Sequence, residues 1–129
     1  MVIDTSALLA ILKVEPDAEA LIARLSLAGP RWLSTATLLE TRLVIERQIG
    51  EAGQAALDRL LAAADITTVP LEIIHVHWAL VGWRRFGKGQ HPAALNLGDC
   101  FSYGLAMALG APLLFNGDDF AATDVPQAL

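Results

Sequence analysis

Short apolar or β-branched runs alternate with segments of helical periodicity along the whole chain, and this alternation limits its fold more than any other feature. Strands that take turns with amphipathic helices pack as an α/β domain, a mainly parallel sheet flanked by helices. "MVID" reads as a short buried strand, followed by a helix from Ala7 to about Lys13 capped by Thr5 or Ser6. "EPDAEALIARLSLAG" reads as a second helix, with Pro16 near its start, Ala20, Leu21, Leu25 and Leu27 as apolar positions, and Gly29 as its stop. "RWLSTA" is a second strand. "TATLLETRLVIERQIG" is a helix with a stripe of Leu38, Leu39, Leu43 and Ile49, and "EAGQAALDRLLAAAD" is another. "ITTVP" is a β-branched strand closed by Pro70, and a long helix runs from about Leu71 to Phe86. The loop "GKGQHPAALNLG" leads into the helix "DCFSYGLAMALG", the buried strand "PLLF" and the turn "NGDDF", with "TDV" as a last short strand.

The 129 residues, 54% of them apolar, suit one domain over 1–129 with a substantial core. The net charge of -5 excludes binding nucleic acid by bulk electrostatics, so any such contact must be local. Cys100 is the only cysteine and Met1 runs straight into Val-Ile-Asp with no basic leader, which points to a reducing cytoplasm. The uncharged stretch from Cys100 to Gly117 is broken by Gly104, Gly110, Pro112 and Asn116, so it reads as a helix, turn and strand, with no membrane span.

Acids fall at telling places on this frame. Asp4 stands at the C-terminal end of the first strand, the edge where open α/β sheets place their sites. Glu40 interrupts an apolar helix, Asp99 opens the helix toward Gly110, and Asp118 and Asp119 follow the strand "PLLF". Taken singly, Asp99 is an ordinary helix-start carboxylate and the Asp pair ordinary turn residues beside Gly117. Taken together, they are not neutral neighbours. Two carboxylates about 5 Å apart repel by roughly 3 kcal/mol at an effective dielectric near 20. Lys88 is the last lysine and Arg85 the last arginine, so the later acids have no basic partner nearby in sequence. Oxygen donors without histidine or cysteine at ligand spacing favour Mg²⁺ or Mn²⁺ over zinc, and such an ion suits phosphodiester hydrolysis by an activated water.

With these residues in place, the chain resembles the PIN-domain ribonucleases, in particular the VapC toxins of toxin–antitoxin pairs. The matching stretches are "MVIDTSALLAIL", "STATLLET", "GKGQHPAALNLGDCFSYGLA" and "LLFNGDDFAATDV", in that order. The resemblance implies a three-layer fold, a mainly parallel sheet between helices, and Mg²⁺-dependent RNA cleavage. Asp4, Glu40 and Asp99 match the family's first three acids, and the fourth falls on Asp118 or Asp119. Relatives carry Thr-Arg-Asp or Thr-Asn-Asp where this chain reads "FNGDDF"; Asp118 is favoured because Asp119 adjoins Phe120, with Asn116 as a weaker candidate. Asp4 and Asp99 are then the expected direct ligands, while Glu40 binds through water or acts as base on the attacking water. Thr5 and Ser6 are expected to hydrogen-bond these carboxylates, and Asn96 to orient the loop before Asp99 or touch RNA. The resemblance also implies a homodimer, silenced by a VapB-type antitoxin laid across the active-site groove.

RNA calls for positive charge, and Arg84, Arg85, Lys88 and His91 are the candidates; Arg84 and Lys88 share a face if the helix runs that far. "GKG" lacks the spacing of a phosphate loop. His75 and His77 read as packing or surface residues, and Trp32, Trp78 and Trp83 as core or dimer anchors. Two other classes compete. A phosphoacceptor receiver domain needs paired acids after the first strand and a lysine after the last, and a non-catalytic PIN-like binding domain should lack some of the acids.

Overall fold

The computed structural model covers Met1–Leu129. Its sheet holds β1 (Val2–Ile3), β2 (Trp32–Ser34), β3 (Thr67–Val69) and β4 (Leu113–Leu114) in the order β3-β2-β1-β4, with every pairing parallel. Val2 pairs with Trp32 on one side and Leu113 on the other, so the first strand lies in the middle. The strands are connected through α1 (Thr5–Leu12), α2 (Ala18–Leu25), α3 (Thr35–Gln48), α4 (Glu51–Ala63), α5 (Ile73–Phe86) and α6 (Leu97–Leu109).

Alternation along the strands divides the interior into two cores. Val2 and Leu113 point into one, with Phe86, Tyr103, Leu105 and Phe120; Ile3 and Leu114 point into the other, with Leu8, Leu21, Ile45 and Leu57. The sheet is therefore sandwiched between α5 and α6 on one face and α1 to α4 on the other, the three-layer arrangement that the resemblance implied.

Five details depart from the sequence reading. The first helix starts at Thr5, and its cap is Asp4 itself, whose Oδ2 accepts from the Ser6 N–H at 2.9 Å. The first strand ends one residue earlier than its hydropathy suggests. On α3 the apolar stripe is not what the helix buries: Thr37, Thr41 and Ile45 face inward while Leu39 and Leu43 are exposed. α6 begins two residues before Asp99, capped by Asn96. "TDV" forms no strand; Gln127 bridges Leu113 instead, and Asp124 is held from the side by Arg85 and the Tyr103 hydroxyl. No helix is long and apolar enough to cross a membrane.

Candidate active site

Asp4 lies at the seam between β1 and α1 and is only 3% exposed. Its Oδ2 accepts from the Ser6 N–H and from the Ser6 hydroxyl at 2.6 Å, and its Oδ1 accepts from the Ser102 hydroxyl at 2.6 Å. Burial pushes this carboxyl above its ordinary range, opposed by the hydrogen bonds from Ser102 and Ser6. Every donor within reach is neutral, so the charge is oriented and left uncancelled.

Glu40 projects from α3 toward the start of α6. Its Oε1 accepts from the Thr5 hydroxyl at 2.5 Å. Its Oε2 occupies the space that a side chain at residue 98 would need: a Cβ on Gly98 would stand 1.4 Å from it. The glycine thus leaves room for the Glu40 carboxylate, which any side chain at residue 98 would displace. Half-burial raises the Glu40 carboxyl, the Thr5 hydrogen bond opposes this, and the Asp4 charge adds to the rise.

Asp99 closes a reciprocal cap with Asn96: its N–H donates to Asn96 Oδ1 and its Oδ2 accepts from the Asn96 N–H, each at 2.9 Å. Desolvation pushes its carboxyl up to about 7 against the pull of the Asn96 hydrogen bond, and the charges of Asp4, Asp119 and Glu40 push the same way. Asp4, Glu40, Asp99 and Asp119 therefore share one electrostatic neighbourhood. Asp119, the less favoured of the pair because it adjoins Phe120, is among the charges that act on Asp99, and Asp118 is not. The turn is shaped by Gly117 at φ +96°, and Asn116 donates its side-chain N–H to Glu15 at 3.1 Å and its backbone N–H to Ser6 Oγ at 3.0 Å. That leaves Asn116 as a turn anchor tied to Asp4 through Ser6.

The expected supporting residues divide their work. Ser6 holds Asp4, Thr5 holds Glu40, and Asn96 caps the helix that carries Asp99. Among the basic residues, Arg85 is committed to Asp124 at 2.5 Å and lies over the Phe86 ring. His91 packs edge-on against Phe86, and its Nδ1 accepts from the Ala93 N–H at 3.1 Å. α5 ends at Phe86, and Gly87 is extended, so Arg84 and Lys88 do not share a helix face. Both remain exposed. His75 is buried, and its Nδ1 accepts from the Glu72 N–H at 3.1 Å, a packing and capping role.

Three contributors escaped the sequence reading. Ser102 follows Asp99 by three positions and Gly98 precedes it by one; neither residue type advertises a site. Arg47 lines a groove of about 390 Å³ together with Glu40, Leu43, Leu97 and Phe101. Its signal was available, since seven residues from Glu40 is two helical turns along the same face.

Carboxylates gathered at the C-terminal edge of a three-layer parallel sheet are the arrangement of a PIN domain, and the PIN domain family model matches residues 1–126. A Ribonuclease VapC from Mycolicibacterium smegmatis is 50% identical over 125 residues, covering 97% of both chains, and Ribonuclease VapC30 from Mycobacterium tuberculosis is 50% identical over 97% of this chain and 95% of its own. The chain belongs to the VapC ribonuclease family of PIN-domain proteins. Its fold is also that of Mycobacterium tuberculosis VapC20, a Sarcin-Ricin loop cleaving toxin, at TM-score 0.76 and 17% identity over 96% of this chain and 95% of that one. VapBC2 from Rickettsia felis, bound to a DNA fragment from its promoter, matches at TM-score 0.74 and 16% identity over 98% and 94% of the two chains.

Proposed function

We propose that this protein is a Mg²⁺-dependent endoribonuclease toxin, with Mn²⁺ as an alternative ion, that hydrolyses RNA phosphodiester bonds. The observation that carries this reading is the mutual charge of Asp4, Glu40, Asp99 and Asp119, with no basic side chain reaching into it. No three His, Cys, Asp or Glu side chains form a ready-made ligand shell. Mg²⁺, which keeps several waters and is held by one or two carboxylates, fits an all-oxygen donor set better than zinc. Asp4 and Asp99 would hold the ion. When bound, it supplies positive charge for the phosphate oxygens and acidifies its water. Glu40 Oε2, free of Thr5, would take the proton of the attacking water, a role that its upward-shifted carboxyl suits. Asp119 completes the negative field in preference to Asp118. Arg47, Arg84 and Lys88 are the cations left for RNA phosphates.

Purified protein should cleave structured RNA with Mg²⁺ or Mn²⁺, lose that activity to a chelator, and lose it in Asp4→Asn. Cleavage that persists under chelation and in this variant would sink the reading.

The name of the VapBC2 neighbour supports an antitoxin partner, and an exposed apolar face supports a second copy. A VapB-type antitoxin would lie along the groove that leads from Glu40 past Leu43 and Arg47, silencing the site by covering it. A second copy would cover the apolar face of α5 and α6, where a groove of about 440 Å³ is lined by Leu71, Val76, Leu80, Trp83 and Leu97. Such a face is costly to leave in water. Leu80→Glu is expected to convert a dimer to a monomer in sedimentation while leaving the far-ultraviolet dichroism unchanged; a wild type that sediments as a monomer at tens of micromolar would refute the homodimer.

A further inference from the structure

We propose that Ser102 is a positioning residue for the first acid of the site, acting through Asp4 Oδ1; the proposal rests on the metal-nuclease reading above. Ser102 is fully buried on α6 and has one proton to give. An ionised Asp4 can only accept, so the 2.6 Å contact to Oδ1 takes that proton. The second neighbour of the Ser102 oxygen, the buried Thr37 hydroxyl at 3.3 Å, must then donate to it. The relay runs in one direction, from Thr37 through Ser102 to Asp4.

Its ends explain its use. Thr37 precedes Glu40 by three residues on α3, and Ser102 follows Asp99 by three on α6. The hydroxyls thus lash the two helices that carry the other acids to the end of β1. Ser6 approaches Asp4 Oδ2 with both its N–H and its hydroxyl, so the capacity left for a cation is on Oδ1, the oxygen that Ser102 holds. The last torsion of an aspartate is soft, and without this donor only the Ser6 contacts to Oδ2 restrain the buried carboxylate, leaving Oδ1 unheld. A hydroxyl can fix it without adding charge; a lysine or arginine there would fix it and cancel it.

The test compares Ser102→Ala and Ser102→Thr with wild type by Mn²⁺ titration followed by electron paramagnetic resonance, by RNA cleavage and by thermal unfolding. Ser102→Ala is expected to bind Mn²⁺ about 10- to 100-fold more weakly and to lose kcat at unchanged KM for RNA. Ser102→Thr keeps the hydroxyl and is expected to stay within a few-fold of wild type in Mn²⁺ affinity even where its added methyl lowers the melting temperature. Wild-type affinity in Ser102→Ala, or an equal loss in both variants, would overturn the proposal. A crystal structure of metal-free Ser102→Ala is expected to show the Asp4 carboxylate turned; an unmoved carboxylate overturns the proposal without reference to metal. Wild-type protein that binds no Mn²⁺ overturns the metal reading instead, and the crystal comparison then decides the role of Ser102 alone.

Discussion

Asp99→Asn is expected to lose at least about a hundredfold in RNA cleavage and, in the same protein without metal, to melt higher than wild type above pH 7. Both effects follow from one carboxyl. In the folded protein Asp99 titrates near 7, well above the ordinary value of 3.8, because it is desolvated and faces Asp4, Asp119 and Glu40. The folded state therefore keeps a proton that the unfolded chain has released between about pH 4 and 7, and stability falls as pH rises through that window. Asparagine removes the charge and keeps an oxygen to accept the Asn96 N–H, so the helix cap survives. The gain should be near zero at pH 4 and full at pH 8. Asp99 is partly open to solvent, which screens the repulsion, so the gain is on the order of 1 kcal/mol, or roughly 4 °C for a domain of this size. Mg²⁺ should raise the melting point of wild type and leave that of the variant unmoved. A variant that melts with wild type at pH 8 without metal would refute the electrostatic account, whatever its activity.

Gly104→Ala is expected to destabilise the domain by about 1–3 kcal/mol, although alanine in a helix ordinarily gains about 1 kcal/mol over glycine. A Cβ at Gly104 would stand 2.5 Å from the His75 carbonyl oxygen and 3.0 Å from the Ala79 nitrogen, both backbone atoms of α5. Backbone has no rotamer to escape into. The contact is matched from the other side, where a Cβ on Gly82 of α5 would stand 2.5 Å from the Tyr103 ring of α6. Each helix thus contributes a glycine to the other's bulk, and the pair cannot be prised apart at one point without moving both. Because α6 also carries Asp99 and Ser102, the variant should lose Mn²⁺ affinity as well as melting temperature. Thermal unfolding that gives an equal or higher melting point than wild type would show that the two helices are not locked in this way.

Much of the architecture was legible because it depends on period and punctuation. The strand runs, the helix stops at Gly50 and Gly110, the placing of Asp4 and Asp99 at a strand end and a helix start, and that of Glu40 within a helix could be read residue by residue. The misreading of α3 and the missed Ser102 share a cause, which is that threonine and serine were counted as polar. Thr37, Thr41 and Ser102 are fully buried because they satisfy one another and the acids, so α3 turns these hydroxyls inward and Leu39 and Leu43 out. The same hydroxyls hold the site, and a hydropathy pattern cannot distinguish them from surface residues. The choice between Asp118 and Asp119 was invisible for another reason: in an exposed turn that pivots on a glycine at positive φ, chain order does not say which side chain faces the sheet edge.

The middle place of β1 in the sheet has a consequence in time. Val2 and Ile3 pair with Leu113 and Leu114, almost the full length of the chain away, and the Asp4 N–H donates to the Leu114 carbonyl oxygen at 2.9 Å. Closing so large a loop carries a high entropic cost before any contact repays it, so this pairing belongs to the late events of folding. On the ribosome, Ser102 and Leu114, which hold Asp4 from the far side of the sheet, emerge about a hundred residues after it. Until they do, a nascent chain carries its acids apart.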